Sequence, residues 1–222
     1  MRAEPFKILF NDEYVVVIDK RVRLLVHPSH KKEKHTLTSV LKDTLGEPVY
    51  PCHRLDRETT GIIIYAKTKD IQKNIMEQFR KGLVKKEYLA FVKGRPPKSK
   101  GLFDEYILDK EGVRFGEKKK RAKTHYRLIR NFGEFSLLKL TPLTGRTNQI
   151  RIHLAKHKMP ILGERKYAYR KDFLVGLRRV DFRRLALHAS FISFIHPVSK
   201  KRVEIRIGLA KDMEEFISSY RS

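Results

Sequence analysis

Several residue types are scarce in this chain, and each scarcity excludes something. There is one cysteine, Cys52, and no tryptophan among 222 residues. A lone cysteine rules out an internal disulfide and a cysteine-based zinc site. Cys52 lies beside His53, but a single buried structural thiol is the expected reading, because neighbours along an extended chain point to opposite faces. No apolar run approaches the length needed to span a bilayer. The opening Met1-Arg2-Ala3-Glu4-Pro5 carries no signal-peptide core, so a cytoplasmic setting is expected. No glycine-rich phosphate loop follows a strand-like run, and no nucleotide cofactor is expected. Acidic residues are scarce as well: 25 Asp and Glu face 50 Lys and Arg, a formal net charge of +25.

Such a chain repels itself, and a polyanionic partner is the usual reason for tolerating the excess. Basic membrane association would be a competing reason. No strongly basic amphipathic helix with an aromatic face stands out, so nucleic acid is the expected partner and a membrane is not. Hydrophobic residues make up 41% of the chain, an ordinary share for a packed protein and too high for general disorder.

Read in order, Phe6 to Phe10 and Val15 to Ile18 are strands joined by the turn Asn11-Asp12-Glu13. Thr36 to Leu45 reads as a helix stopped by Gly46. Ile62 to Ala66 is a buried strand. Asp70 is read as the cap of a helix whose Ile71, Ile75 and Phe79 recur at helical spacing and which Gly82 ends. Val84 to Val92 is a strand that puts Lys86, Tyr88 and Ala90 on one face. Gly94 to Gly101 reads as a loop rich in Pro and Lys. Lys110 to Lys123, with seven cationic residues and two glycines, reads as a flexible basic loop. It is equally a solvated insertion or a lid over RNA. Thr124 to Arg130 and Phe135 to Thr141 pair across a turn. Asn148 to Lys158 is a helix, Ala186 to Ile195 and Lys201 to Ile207 form a closing hairpin, and Asp212 to Tyr220 is a terminal helix. Strands dominate with a few short helices, which gives an α+β class with a largely antiparallel or mixed sheet.

The stretch that organises the chain is His53-Arg54-Leu55-Asp56-Arg57-Glu58-Thr59-Thr60-Gly61. One carboxylate, Asp56, sits between two arginines at the mouth of a strand. Neighbouring positive charge favours its ionised form, as a nucleophile or base requires. A surface ion-pair cluster would look the same.

HRLDRETTG resembles the HRLD-x-x-TSG signature of the RluA family of RNA pseudouridine synthases, with Thr60 in place of the usual Ser. Three further segments resemble that family in the right order. They are Lys85-Lys86-Glu87-Tyr88-Leu89-Ala90, Thr144-Gly145-Arg146-Thr147-Asn148-Gln149-Ile150-Arg151-Ile152-His153-Leu154, and Arg184-Leu185-Ala186-Leu187-His188-Ala189. The resemblance implies the pseudouridine synthase fold: a long mixed sheet with flanking helices and a central catalytic cleft. It implies one catalytic domain over residues 1–222, without the small RNA-binding domain that many members carry in front.

The implied activity is isomerisation of specific uridines in structured rRNA or tRNA, with no cofactor. A non-catalytic RNA-binding or ribosome-assembly protein on the same fold is the alternative. By resemblance, Asp56 is the catalytic residue, as nucleophile or as base. Arg151 is the arginine that pairs with it, or else a phosphate contact, and Tyr88 is the tyrosine stacked on the target base. Arg54 is placed to probe or replace a flipped-out nucleotide, in a loop or bulge that costs little to open. Arg57, Arg146, Asn148, Lys118, Lys119, Lys120 and Arg121 complete the expected RNA contacts. Asn148 departs from the usual His, and Glu164 from the usual Asp. His53, Asp56, His153 and His188 fit no compact ligand spacing, and nearby arginines oppose a cation, so no metal is expected. A monomer is expected.

Overall fold

The computed structural model describes residues 5–21, 24–27, 35–108, 119–168, 174–175, 178–179 and 182–220. In chain order the elements are β1 (Phe6–Asn11), β2 (Val15–Lys20), α1 (Leu37–Leu45), β3 (Tyr50–Pro51), β4 (Thr60–Ala66), α2 (Lys69–Arg80), β5 (Lys85–Lys93) and β6 (Lys100–Leu108). They continue with β7 (Lys119–Asn131), β8 (Phe135–Pro142), α3 (Gln149–Lys156), β9 (Leu174–Val175), β10 (Arg178–Arg179), β11 (Leu187–Ile195), β12 (Arg202–Arg206) and α4 (Lys211–Tyr220). They fall into two compact units, residues 1–86 with 188–222 and residues 87–187.

The first unit is built on β4. Val15 to Ile18 of β2 and Thr60 to Ala66 of β4 are buried on both faces, which is why both read as unbroken apolar runs rather than alternating ones. β2 pairs antiparallel with β1 and with β4, and β3 pairs antiparallel with the far end of β4. β11 lies parallel to the start of β4, with His188 opposite Thr60 and Ala189 opposite Gly61, and β12 closes the edge as a hairpin with β11. On one face Ile75, with Ile71 and Phe79 of α2, packs on Val15, Val17, Ile62 and Ile64. Tyr65 points the other way, where its hydroxyl accepts from Thr38 of α1 at 3.4 Å.

Local chemistry sets the helix ends. α1 opens on a reciprocal capping box between Thr36 and Ser39 and stops at Gly46 in the left-handed region, at φ 70°. α2 is capped by Thr68, whose hydroxyl accepts from the Ile71 amide. The expected cap, Asp70, instead sits in the first turn, where its charge meets the positive helix end. Thr68 precedes it in extended backbone and wins the position. Lys81 is the C-cap, and Gly82 follows it in the left-handed region.

The second unit is an antiparallel sheet in the order β5, β8, β7, β6. α3 buries Gln149, Ile150, His153 and Leu154. Phe91 meets Phe135 edge-on at 5.2 Å and Phe182 at 6.0 Å, filling the opposite side of β5 from Ala90. One expectation changes here. Lys119, Lys120 and Arg121 are not in a loop, because β7 begins at Lys119 and runs unbroken to Asn131. Its partner β6, absent from the sequence reading, pairs with it from Lys100 to Leu108 and extends it. A strand this polar on its outer face hides its period-two pattern among lysines. Lys118 and residues 109–117 lie outside the described residues, as do residues 169–173, 176–177 and 180–181.

Gly61 marks the tightest constraint in the first unit. It has φ 107°, and a Cβ placed there would stand 2.2 Å from the Ala189 carbonyl oxygen and 2.6 Å from its nitrogen. Gly61→Ala therefore combines a forbidden backbone region with a backbone clash. It should destabilise the protein by about 3 kcal/mol or more in denaturant unfolding. A loss below about 1 kcal/mol would show that β11 moves aside freely.

Candidate active site

Asp56 stands in the loop from Cys52 to Thr59 that leads into β4. Leu55 is tucked inside, 5% exposed, while Arg54 and Arg57 face solvent and Asp56 is half-buried. The loop is curled around a residue absent from the sequence reading, Lys20 at the end of β2. Its side chain is fully buried. The ammonium donates to the carbonyls of Thr59 at 2.8 Å, Arg57 at 3.1 Å, Arg21 at 3.1 Å and Asp56 at 3.5 Å. The Thr59 amide closes the turn onto the Asp56 carbonyl at 3.1 Å. A buried ammonium needs such partners, because an uncompensated charge in an apolar interior costs many kcal/mol. The one available signal is a lysine ending a buried strand, in register with Gly61 of the motif.

His53 takes a structural place. Its Nε2 accepts from the Ile64 amide at 3.0 Å and its ring lies 4.8 Å from that of Phe79. Burial, and then the Lys86 ammonium, push its pKa down to about 3, so the ring is neutral at physiological pH. Burial pushes the Cys52 thiol up to about 12, which removes it as a nucleophile. Thr60 and His188, from the first and fourth motifs, meet through Oγ1 and Nδ1 at 2.9 Å. The hydroxyl retained at this Ser-like position therefore has a partner.

In the second unit, the third motif is ordered by Gln149. Its Oε1 accepts from the Thr144 hydroxyl at 2.6 Å and the Arg146 amide at 3.1 Å. Its Nε2 donates to the Lys123 carbonyl and the Thr124 hydroxyl, both at 2.9 Å. Arg146 reaches the Arg121 carbonyl through Nε at 3.4 Å. His153 is a core histidine, with Nδ1 3.0 Å from the Thr124 hydroxyl and its pKa lowered by burial.

Arg151 projects from the first turn of α3 into a fork with Glu164: Nε to Oε2 and Nη2 to Oε1, each 2.8 Å. Its Nη1 donates to Asn148 Oδ1 at 2.9 Å. Burial would raise the Glu164 pKa, but the Arg151 donors and the amides of Lys166 and Tyr167 outweigh it and hold the carboxyl below its usual value. Asn148 and Glu164, two of the three departures from the motif pattern, thus touch one guanidinium. Tyr88 lies on β5 opposite Leu140 of β8, half-buried.

Of the expected RNA contacts on β7, Arg121 already forks Asp104, at 2.7 and 2.8 Å, on an exposed strand face. Lys119 and Lys120 are exposed. Among the described residues no cluster of three or more His, Cys, Asp or Glu is arranged to hold a metal ion. Nor, among them, is any helix long and apolar enough to cross a membrane.

These motifs and this architecture have counterparts of known structure. Human RNA pseudouridylate synthase domain containing 4 superposes with a TM-score of 0.77 at 28% identity, covering 96% of this chain and 92% of that one. A second human protein, RNA pseudouridylate synthase domain containing 1, shares the fold at a TM-score of 0.75 and 21% identity, covering 98% of this chain and 95% of that one. The fold is that of the pseudouridine synthases.

The RNA pseudouridylate synthase family model matches residues 14–156. The tRNA pseudouridine synthase C of Haemophilus influenzae is 30% identical over 96% of this chain and 97% of its own length. The ribosomal large subunit pseudouridine synthase D of Xylella fastidiosa is 33% identical over 98% of this chain and 70% of its own length. The chain belongs to the RluA family of RNA pseudouridine synthases and is an RNA isomerase.

Two outcomes follow from this site. Lys20→Met removes the ammonium from the gathered carbonyls, and should cost about 2–4 kcal/mol in denaturant unfolding. Amide exchange at Thr59 should quicken too, whereas a loop that holds its shape alone would leave that exchange unchanged. His53 binds its proton far more readily unfolded than folded. Its contribution is therefore complete above about pH 6.5 and is lost as pH falls toward about 3. His53→Gln keeps an acceptor for the Ile64 amide and cannot titrate. Its stability should fall less steeply than that of the unmodified protein between these pH values, and parallel curves would refute the burial of a neutral ring.

Proposed function

We propose that this protein isomerises specific uridines in a loop or bulge of tRNA or rRNA, with Asp56 as the catalytic residue. The observation that carries the Asp56 assignment is its setting. The loop backbone is gathered onto the buried Lys20 ammonium and Leu55 is pinned inside, which fixes the backbone that carries the half-buried Asp56 between the exposed Arg54 and Arg57. A carboxylate held by its backbone loses little entropy when a ribose is presented to it.

Isomerisation breaks the glycosidic bond, turns the base and rejoins it to the sugar through carbon; that carbon loses its hydrogen as a proton, and the freed ring nitrogen takes up a proton. Atoms are conserved overall, so the reaction needs neither oxidant nor energy source. Asp56 acts on the ribose, by attack on the sugar or by taking a proton from its second carbon. Either route uses the ionised carboxylate. Tyr88 packs on the target base, and Arg151 supplies a permanent planar cation to the reacting groups. Arg54 fills the space left by the extruded nucleotide. Arg57, Arg146, Lys118, Lys119, Lys120 and Arg121 contact RNA phosphates, for which the +25 charge supplies the long-range attraction. The protein acts as a cytoplasmic monomer.

The test is tritium release from tRNA and rRNA labelled at the fifth carbon of uridine. Asp56→Asn keeps the side-chain shape and removes the charge and the reactive oxygen. Its turnover should fall on the order of 10³-fold or more, with RNA affinity held or slightly improved. Release at the unmodified rate would sink the assignment of Asp56. The RNA that releases tritium identifies the substrate class.

A further inference from the structure

We infer that Glu164 and Asn148 are positioning residues that fix the Arg151 guanidinium for the reaction. The inference rests on the reading above that Arg151 acts in that reaction. A guanidinium on a flexible stem has a plane and a rotation to be set. Here Glu164 takes Nε and Nη2 as a fork, each at 2.8 Å, and Asn148 takes Nη1 at 2.9 Å from another edge. The Tyr167 ring lies 5.2 Å from the guanidinium carbon. Two acceptors at different edges leave one in-plane orientation, which is the preorganisation a catalytic cation requires.

Both acceptors are themselves immobilised. The Glu164 carboxylate has no solvent exposure, and its Oε1 also accepts from the amides of Lys166 at 2.8 Å and Tyr167 at 3.3 Å. It follows Gly163, at φ 77°, where a Cβ would stand 1.8 Å from the Arg184 carbonyl oxygen. Any side chain at Gly163 would thus displace the Glu164 backbone. Asn148 is held in the left-handed region at φ 54°, ψ 21°. It is the N-cap of α3, yet its side chain makes no cap hydrogen bond. N-cap asparagines ordinarily bond an amide of the first turn, a contact worth about 1 kcal/mol. Here the oxygen goes to Arg151 instead, and the helix forgoes that contact.

The experiment compares tritium release, melting temperature and guanidinium proton exchange for Asn148→Gly, Asn148→Asp, Glu164→Gln and Arg151→Ala. Glycine adopts the left-handed backbone freely, so Asn148→Gly removes the acceptor and should keep or raise the melting temperature. Its kcat should fall on the order of 10- to 100-fold with KM little changed, and Glu164→Gln should behave alike. Asn148→Asp keeps an acceptor oxygen and should lose clearly less kcat than Asn148→Gly, a rescue that a purely backbone role does not predict. The double variant Asn148→Gly, Glu164→Gln should lose less than the product of the single losses, because both act through one side chain.

By NMR, exchange of the Arg151 Nε proton should quicken in Glu164→Gln, which reads the fork independently of turnover. Normal kcat in both Asn148→Gly and Glu164→Gln, with Arg151→Ala inactive, would overturn the inference and leave the role of Arg151 standing. Normal kcat in Arg151→Ala would overturn both. Should Glu164→Gln fail to fold, kcat of Asn148→Gly against Asn148→Asp decides alone.

Discussion

A lysine ammonium buried among backbone carbonyls is the constraint on which the first unit turns. Taking that charge out of water is tolerable only while its carbonyl partners stay in place, since each such bond to a charged donor contributes about 1.5–3 kcal/mol. Three of the partners, the carbonyls of Asp56, Arg57 and Thr59, belong to the motif loop, and the fourth is that of Arg21, next to Lys20 itself. With those carbonyls turned toward Lys20, Arg54 and Arg57 are exposed and Asp56 half-buried, while Leu55 and Thr59 fill the interior. The loop therefore depends on β2 for its shape, and β2 is held in turn by β4 along six residue pairs from Val15 to Lys20.

The second unit solves a related problem with side chains. Gln149 and Glu164 are both almost fully buried, and each is saturated by partners from separate segments. A buried amide or carboxylate with unmet capacity is costly, so each fixes the relative placement of everything it touches. Gln149 ties the Thr144 to Arg146 turn to β7, and Glu164 ties the segment after Gly163 to α3. The residues proposed to meet RNA or substrate, Arg146 and Arg151, hang from these two anchors.

Much of this was legible in the sequence, for physical reasons that can be named. The apolar runs of β2 and β4, the Thr36 to Gly46 helix and the closing hairpin follow from patterns that burial and capping impose locally. The motif residues Asp56, Tyr88 and Arg151 were visible because they stand in recognisable strings. Three kinds of feature were not visible. Lys20 acts through carbonyls distant in sequence, and nothing local distinguishes a buried lysine from an exposed one; Glu164 stood out as a departure from the motif pattern, but its fork with Arg151 did not. Thr68 outcompetes Asp70 as a cap through a backbone conformation that composition alone does not fix. Lys119, Lys120 and Arg121 look like loop residues until β6 is paired beside them. One face of β7 is then solvent-exposed cation, and the other carries Ala122, Thr124 and Tyr126, all buried.

The distribution of acidic residues connects structure to substrate. With half as many acids as bases, each carboxylate inside the fold is costly to misplace, and many of those described have definite structural work. Glu164 orients Arg151, Asp104 engages Arg121 and Lys123, Glu105 engages Lys156 and His157, and Glu87 engages Lys139. Most of these pairs are partly exposed and contribute little to stability singly, so their effect is chiefly to arrange cations. Local pairing on this scale cannot neutralise an excess of +25. The remaining positive potential persists at distances comparable to the Debye length and favours a phosphate chain over any neutral partner. On the proposed reading Asp56, flanked in sequence by Arg54 and Arg57, is a negative group that repels the phosphates its neighbours gather, a cost offset by the action of its charge on the RNA they bind.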